Sequence, residues 1–304
     1  MSAKPLVMWQ LADGRAGHER QVQGLGDALA RQVPLERHQI ACTARGPGAA
    51  INAWRGHFPA GADLPAPDLV VAAGHGCHWP LLAASRATGA PAICLMRPSL
   101  PWRWFDLLVV PEHDYPPFGD NVIRTTGVLN PMTAAENKEA NLGLILIGGP
   151  SRHHGFDADQ VLHAVQSIVA RSPDLQFIAT DSPRTPASFR KRLLALEIER
   201  VSYHAYAQGN PTWLSDTLGR AARAWVTADS MNMIFEALSA AAEVSIIDAP
   251  VLKADRVTAV VPDLIHRGLV SRVGEPGVGA HPLAEADRVA AEILARFTTG
   301  AATP

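Results

Sequence analysis

The chain has 304 residues, of which 47% are hydrophobic and 18% charged, and its formal net charge is −2. This length is enough for two ordinary domains, each with its own buried core. The near-neutral charge and the lack of Lys/Arg runs argue against nucleic acid as a partner, and no apolar stretch reaches the roughly 18 residues that would span a bilayer.

The three cysteines, Cys42, Cys77 and Cys94, are odd in number, lie far apart and are each near an apolar run. This favours buried reduced thiols over a disulfide framework. The apolar run before Asp13 is too short for the core of a secretory signal peptide. We therefore expect a soluble cytoplasmic protein with no integral membrane segment.

Apolar segments alternate with helical patterns along the whole chain, and segment 161–169 is one of those that place apolar residues at helical spacing. Strands that are apolar throughout and separated by helices predict parallel sheets covered on both faces, which is a doubly wound α/β fold. The predicted strands are residues 6–11, 37–42, 69–73, 92–96, 107–110, 144–147, 176–179, 201–204, 224–227, 244–247 and 259–261.

The polar segment 130–141 lacks a buried stripe and separates two blocks of predicted strands of similar size. It predicts a linker between two Rossmann-like domains, residues 1–135 and 136–304. We expect the two domains to face a cleft that is lined by the loops at the carboxyl ends of both sheets.

The loop after the first predicted strand contains two glycines and then His18, at the start of a helical pattern. The glycines allow a ligand close to the backbone, and His18 in this position is a candidate general base near neutral pH. The spacing is not the Gly-x-Gly-x-x-Gly of dinucleotide binders. The alternative is that His18 only caps the helix or faces solvent.

The loop after the sixth predicted strand combines Gly148, Gly149, Ser151 and Arg152. Glycine amides and a hydroxyl can bind phosphate oxygens, and Arg152 adds positive charge. The alternative is a tight turn with an exposed polar tip. Because so many groups suited to phosphate coincide here, we favour a phosphate site.

Arg184 follows the next predicted strand, beside a helix whose start is indicated by Thr185 and Pro186. A cation beside the positive end of a helix is a candidate second contact for an anion. A surface arginine with no ligand is the alternative, and the sequence does not separate the two.

Asp229, Ser230 and Asn232 occupy another loop between a strand and a helix, and Glu236 follows about two turns into that helix. The loop amides could bind phosphate while the Glu236 carboxylate accepts both hydroxyls of a ribose. Alternatively, Asp229 and Ser230 only cap the helix, although both roles are compatible at one helix end.

Two histidine patterns, in residues 75–78 and 153–154, do not have the spacing of the usual zinc ligand sets. Asp157 and Asp159 match the Asp-x-Asp that holds a metal in some glycosyltransferases. However, Asp157 with Gln160 three residues later forms a capping box before an apolar stripe. We therefore predict no metal site and no cofactor.

Six motifs stand in order along the chain: residues 13–19, 105–114, 146–152, 181–186, the pair Asn210-Pro and residues 227–233. Taken together, these motifs resemble the bacterial branch of the family named after a plant mitochondrial-fission protein, and the match spans most of the chain. That family carries the label of a predicted nucleoside-diphosphate-sugar epimerase, and its pattern is similar to glycosyltransferases of the two-Rossmann GT-B type.

Within the wider GT-B group, His18 with its preceding glycine resembles the Gly-His of the first-strand loop in the peptidoglycan N-acetylglucosaminyltransferase, and Glu236 resembles its ribose-binding glutamate. Here the fuller glycine run before the histidine is missing, and residues 229–232 replace a smaller, glycine-bearing loop, which leaves the identity of the sugar and of the base open.

The resemblance also implies that the last helical stretch, 283–297, crosses back to the first domain. The epimerase label lacks support, since neither the dinucleotide fingerprint nor a Tyr-x-x-x-Lys pair is present.

The resemblance implies a metal-independent glycosyltransferase that binds a nucleoside diphosphate sugar through the C-terminal domain and an unknown acceptor through the N-terminal domain. His18, or a carboxylate such as Asp114, would deprotonate the acceptor hydroxyl, and helix N-termini with Arg152 or Arg184 would stabilise the departing diphosphate. The alternative is a catalytically silent GT-B-like module that binds nucleotides or other proteins.

Overall fold

The computed structural model describes residues 4–42, 46–208 and 212–298, so the Asn210-Pro motif lies outside the described residues. The chain divides into two compact units, one of Met1–Pro131 with Ala284–Pro304 and one of Met132–Leu283. The sequence had suggested a division between residues 135 and 136.

The first unit contains a parallel six-stranded sheet in the order β2-β1-β3-β4-β5-β6. Because β2 and β3 lie on opposite sides of β1, the direction in which the sheet grows reverses between β1 and β3, and such a switch point is where α/β sheets bind ligands. Its elements are β1 (Leu6–Ala12), α1 (Ala16–Gln32), β2 (Leu35–Ala41), α2 (Pro47–Arg55), β3 (Leu69–Ala73), α3 (His78–Thr88), β4 (Ala92–Leu95), β5 (Leu107–Pro111) and β6 (Val122–Thr125).

The second unit contains another parallel six-stranded sheet, in the order β12-β11-β10-β7-β8-β9. Its switch point lies between β7 and β10, because the chain adds β8 and β9 on one side of β7 and the later strands on the other. The elements are β7 (Glu139–Leu146), α4 (Ala158–Arg171), β8 (Gln176–Thr180), α5 (Ala187–Ala195), β9 (Val201–His204), α6 (Trp213–Arg220), β10 (Ala221–Thr227), α7 (Met231–Ser239), β11 (Glu243–Ile247), α8 (Val260–His266) and β12 (Ser271–Arg272).

The last helix of the described chain, α9 (Glu285–Phe297), packs against α1 of the first unit. Val289 and Ile293 are fully buried in the hydrophobic cluster on that face of the sheet. At the surface, Arg31 on α1 pairs with Asp287, with nitrogen and oxygen 2.7 Å apart. The end of the chain therefore completes the core of the first unit.

Alternation along β3 shows why the sheet is apolar throughout. Val70 and Ala72 belong to the cluster on one face, whereas Val71 and Ala73 belong to the cluster on the other. Successive side chains of a strand point to opposite faces, so a strand between two helical layers needs apolar residues at every position. The predicted doubly wound α/β class is confirmed.

Three details differ from the expectation. Residues 259–261 were predicted as a strand, but Val260 and Val261 begin α8 and are buried with Leu264 at helical spacing; a short apolar run does not distinguish the two structures. β6 and β12 were not predicted, because β6 is a four-residue edge strand with only two apolar residues and β12 has two residues. Finally, residues 139–141 of the predicted linker are the start of β7.

Two expectations from composition concern the cysteines and membrane-spanning helices. The three cysteines are free and buried, as predicted. Within the described part of the chain, no helix is both long and apolar enough to cross a membrane.

Candidate functional site

The residues predicted to bind phosphate lie on three loops at the carboxyl edge of the second sheet. Gly148 and Gly149 follow β7, Arg184 follows β8 and Asp229 follows β10. These strands are neighbours in the order β10-β7-β8. Parallel strands bring their carboxyl ends to one edge, so the three loops meet beside the switch point.

The side chains of Arg184 and Asp229 connect the three loops. Nη2 of Arg184 donates to Oδ2 of Asp229 at 2.8 Å, and Nη1 donates to the carbonyl of Gly149 at 2.6 Å. The same Oδ2 accepts the backbone N–H of Gly149 at 2.9 Å. The Asp229 side chain is 1% exposed. A carboxylate therefore occupies the position between an amide and a guanidinium that the sequence had suggested for a phosphate.

The two glycines allow this close packing of loops. A Cβ on Gly148 would lie 2.2 Å from an Asp229 carboxylate oxygen, and one on Gly149 would lie 2.2 Å from the backbone oxygen of Arg184. The amide of Gly148 donates to Thr227 Oγ1 at 2.8 Å. Both glycine amides are thus bonded within the protein, and the glycines serve loop packing in this structure.

Thr185 has a different role from the predicted helix cap. Helix α5 begins at Ala187 after Pro186, and no side chain caps it. Oγ1 of Thr185 donates to the carbonyl of Ile147 at 3.0 Å and accepts the amide of Ser182 at 2.9 Å. Thr185 therefore fixes the loop after β8 against the end of β7.

The rest of the loop after β7 presents a chain of three charged or titratable side chains. Nε of Arg152 donates to Nε2 of His153 at 2.8 Å, and Nδ1 of His153 lies 2.8 Å from Oδ2 of Asp255. Oγ of Ser151 accepts the amides of His153 and His154, which closes the loop. Ser151 thus shapes the turn that carries these side chains.

Asp255 was not singled out by the sequence, since no motif surrounds it. Its Oδ1 accepts the backbone N–H of Val257 at 2.9 Å. Burial raises the pKa of the Asp255 carboxyl, but the N–H groups of Val257 and Thr258 and the contact with His153 together hold it below its usual value. The carboxylate is therefore ionised and fixed in place beside His153.

Two buried polar atoms in this cluster have no hydrogen-bond partner among the described residues, namely Nδ1 of His154 and Oδ1 of Asp229. His154 is 4% exposed. Burial lowers the pKa of His154, although the neighbouring Asp229 opposes the shift. Buried polar groups are nearly always hydrogen-bonded, so these two atoms are suited to bind a hydroxyl of a ligand or a water molecule.

Helix α7 begins beside this cluster without a side-chain cap. Ser230 is its N-cap residue, but makes no capping hydrogen bond, so the predicted cap by Asp229 or Ser230 is not observed. The N–H groups of a first turn have no partner within the helix and attract anions. Asn232 in that turn is exposed, whereas Glu236, predicted to bind ribose, is 4% exposed. A ribose contact through Glu236 requires the ligand to reach a buried carboxylate.

The predicted N-cap by Asp157 at the start of α4 is confirmed. Oδ1 of Asp157 accepts the backbone N–H of Gln160 at 3.0 Å. Asp159 points to the surface, where it pairs with Arg192. Among the described residues, no group of three or more His, Cys, Asp or Glu side chains is arranged to hold a metal ion.

In the first unit, His18 lies at the switch point between β1 and β3. Its Nδ1 is 3.0 Å from Oδ2 of Asp13, whose side chain is 2% exposed, whereas the imidazole is 17% exposed. A Cβ on Gly74 would lie 2.1 Å from His18 Nδ1, so only a glycine after β3 leaves room for the ring. With Nδ1–H donating to Asp13, Nε2 carries the lone pair that a general base needs.

Asp13 is the partner that the sequence did not identify. It stands in the same motif as His18, and its position directly after the strand was the available signal. A buried carboxylate on the far nitrogen fixes the tautomer of an imidazole and stabilises its charged form.

Asp114, the second candidate base, lies at the same sheet edge but is not next to His18. It is buried on the turn after β5, and three strand spacings separate β1 from β5 in the sheet. At ~4.8 Å per spacing, the strand ends are roughly 14 Å apart. Of the two candidate bases, His18 is therefore the one that a carboxylate holds at the switch point.

His78, in the first of the two histidine patterns, is a core residue. Its Nδ1 is 3.1 Å from Oγ of Ser99. Burial, with smaller contributions from His75 and His18, lowers the pKa of His78 to about 4. His78 is therefore a neutral structural side chain near neutral pH.

Similar solved structures share the architecture across nearly their whole length. The UDP-GlcNAc 2-epimerase from Methanocaldococcus jannaschii is 10% identical, with a TM-score of 0.55 over 96% of this chain and 100% of that one. The S. aureus MnaA–UDP co-structure is 15% identical, with a TM-score of 0.52 over 95% and 88%. A glycosyltransferase from Rickettsia africae is 12% identical, with a TM-score of 0.50 over 98% and 90%.

These identities establish the fold alone, which is that of GT-B glycosyltransferases and of epimerases that share it. No curated protein matches the chain in sequence. The sequence model of one family, described as mitochondrial fission ELM1, matches residues 16–297. This match runs from the start of α1 to the end of α9, and the chain therefore belongs to the mitochondrial fission ELM1 family.

Proposed function

We propose that this protein is a metal-independent GT-B-type glycosyltransferase that uses a nucleoside diphosphate sugar. The second unit binds the donor at the carboxyl edge of its sheet, and the first unit binds the acceptor and supplies the base. The observation that carries the proposal is the convergence of the uncapped N-terminus of α7 with the loop cluster around Arg184 and Asp229.

The donor site combines features that suit a diphosphate linked to polar rings. The first-turn amides of α7, with Ser230 and Asn232, offer donors to phosphate oxygens, and Arg152 and Arg184 supply positive charge. Unpartnered buried atoms on His154 and Asp229 suit a hydroxyl of the ligand. Relatives in fold include a protein solved with UDP, which supports a uridine nucleotide as the first ligand to test.

Transfer requires removal of a proton from the acceptor and stabilisation of the departing diphosphate. In the proposed reaction, Nε2 of His18 accepts the proton while Asp13 stabilises the imidazolium that forms. The α7 N-terminus and the arginines stabilise the charge on the diphosphate. Asp114 is the less favoured base because of its distance from the switch point.

A catalytically silent module is the second candidate, and one observation favours it. The Asp229 carboxylate already accepts hydrogen bonds from the Gly149 amide and from Arg184, so these two donors are bound to an anion within the protein. A site that has lost its ligand would look the same.

Calorimetry with UDP-sugars, followed by measurement of UDP release with an acceptor-rich extract in EDTA, separates the two candidates. The glycosyltransferase predicts micromolar to millimolar donor binding and acceptor-dependent release that EDTA does not abolish. Binding without release under any acceptor supports the silent module. Lack of binding to every UDP-sugar tested contradicts the glycosyltransferase and the nucleotide-binding form of the silent module, and leaves the form that binds other proteins.

A further inference from the structure

We propose that binding of a diphosphate to the second unit is coupled to uptake of one proton by His153, which makes His153 a proton-linked ligand of the phosphate. This inference rests on the proposed function, because it concerns how the same loops of the second unit bind the diphosphate of the donor. The observations that carry it are the hydrogen-bond chain Arg152–His153–Asp255 and the charges that surround it.

The hydrogen bonds show that Arg152 and His153 are bonded to each other. Nε2 of His153 accepts the Nε–H of Arg152 at 2.8 Å, while Nδ1 faces Asp255 at 2.8 Å. An imidazole that accepts at Nε2 is neutral. In this arrangement, His153 adds no positive charge, and the Nε–H of Arg152 points at a ring nitrogen.

Asp255 is prepared to hold a charged imidazole. Its Oδ1 is bound by the amides of Val257 at 2.9 Å and Thr258 at 3.4 Å, and its own amide donates to Thr258 Oγ1 at 2.9 Å. The loop that carries it is joined to the β7 loop, since the amide of Leu252 donates to the carbonyl of His153 at 2.9 Å. The carboxylate therefore does not have to move when the imidazole gains a proton.

The charges of the cluster explain why a proton is needed. Arg152 and Arg184 are balanced by Asp229 and Asp255, so the four charged side chains sum to zero. A diphosphate brings at least two negative charges into this neutral group. A further cation beside the α7 N-terminus strengthens the binding of this anion.

His153 is the group able to supply that cation. His154 is buried, and burial lowers its pKa. Lys253 is 4.0 Å from Asp255, but its side chain is 70% exposed, so solvent screens its charge. His153 is partly exposed and its Nδ1 already faces the Asp255 carboxylate, so its imidazole has a partner that stabilises a positive charge.

Protonation changes the contact with Arg152 as well. Once Nε2 of His153 carries a proton, it can no longer accept from Arg152. The Nε2–H of His153 and the Nε–H of Arg152 then both become donors for phosphate oxygens. One proton thus adds a positive charge and releases a guanidinium donor. The base and ribose parts of a nucleotide play no part in this coupling, so inorganic pyrophosphate should show it too.

The test is titration calorimetry of UDP and of pyrophosphate into the full chain in EDTA, in two buffers with different ionisation enthalpies, between pH 7 and 9. The expected result for UDP, whose terminal phosphate is ionised in this range, is uptake of about one proton per ligand and a Kd that weakens about tenfold per pH unit above neutrality. His153→Gln should remove both the uptake and the slope, since glutamine keeps a donor and an acceptor but cannot gain a proton.

Two further variants keep the test decisive. His163→Gln changes an exposed histidine on α4 of the same unit and should keep the wild-type slope. Asp255→Asn should reduce proton uptake even if His153→Gln folds poorly, because it removes the charge that stabilises the imidazolium. Binding of UDP with no proton uptake overturns this inference alone, and so does equal loss in His163→Gln. Absence of UDP and pyrophosphate binding at every pH overturns the proposed donor site as well.

Discussion

Arg184 and Asp229 form an ion pair of 2.8 Å in which the carboxylate is 1% exposed and the arginine side chain 39% exposed. The pair joins loops that follow two different strands, and the same carboxylate oxygen accepts the amide of Gly149. A buried acceptor shared by a guanidinium and an amide holds the loops after β7, β8 and β10 together.

Replacement of Asp229 by asparagine should therefore destabilise the second unit. We expect a loss of about 1–3 kcal/mol in the free energy of unfolding, the range for hydrogen bonds to charged groups, measured by urea denaturation. The matched control is Asp159→Asn, which removes an aspartate from the exposed pair with Arg192 and should have no measurable effect. Equal effects of the two variants would contradict a structural role of the buried pair.

Gly149→Ala should disturb the loop after β8 and not only hinder a ligand. The new Cβ would lie 2.2 Å from the carbonyl oxygen of Arg184 and 2.8 Å from the amide of Thr185, which are backbone atoms that cannot rotate away. We expect a loss of about 1–3 kcal/mol in stability, as for other overpacked sites, together with weaker UDP binding.

Gly155→Ala is the control for this experiment, because its Cβ would meet only side-chain atoms at 3.4 Å or more. If both glycine variants unfold at the wild-type urea concentration, the packing role of Gly149 is wrong.

His18→Gln should lower turnover without weakening donor binding. If Nε2 of His18 removes the acceptor proton, the loss in kcat is roughly a hundredfold or more, the usual contribution of a general base. Asp13→Asn should also lower kcat, because the buried partner of Nδ1 no longer stabilises the imidazolium. Calorimetry with the UDP-sugar checks that the donor Kd is unchanged.

A control histidine with a similar partner lies on β2, where Nε2 of His38 is 2.8 Å from Glu36. His38→Gln should turn over at the wild-type rate. Normal turnover of His18→Gln would assign the base to another residue.

Acid should destabilise the first unit through His78. The pKa of His78 is lowered to about 4 in the folded chain, whereas an unfolded histidine titrates near 6.5. The unfolded state therefore binds more protons between pH 6.5 and 4. Stability is fully present above pH 6.5 and decreases as the pH falls through this window, by up to about 3 kcal/mol.

Urea denaturation at pH 7 and pH 5 measures this effect. His78→Asn, whose amide can still reach Ser99, should show a smaller decrease between the two pH values than the wild type. An unchanged decrease would mean that other groups cause the acid sensitivity.

Truncation of Ile293 on α9 should destabilise the first unit. Its side chain is fully buried in the cluster with α1, so Ile293→Ala should cost about 2–5 kcal/mol. Hydrogen exchange of intact protein should show faster exchange in β1 and α1, while β7 and β10 keep the wild-type rates. Equal acceleration in both sheets would contradict the assignment of α9 to the first unit.

Periodicity made the fold class predictable from the sequence. Strands such as β3 are apolar at every position, and helices such as α4 carry one buried stripe, so each reveals its environment locally. β12 could not be predicted, since two residues contain no period. The start of α8 was misassigned because three apolar residues in a row fit a strand as well as a buried helix.

The amino-acid sequence by itself determined that polar loops follow the strands, and thus that His18, Gly149, Arg184 and Asp229 lie at sheet edges. Only the tertiary structure decided their partners: Arg184 pairs with Asp229, 45 residues away, and His153 with Asp255, 102 residues away. Local patterns specify burial within one element, whereas such pairs depend on strand order, which the whole core selects.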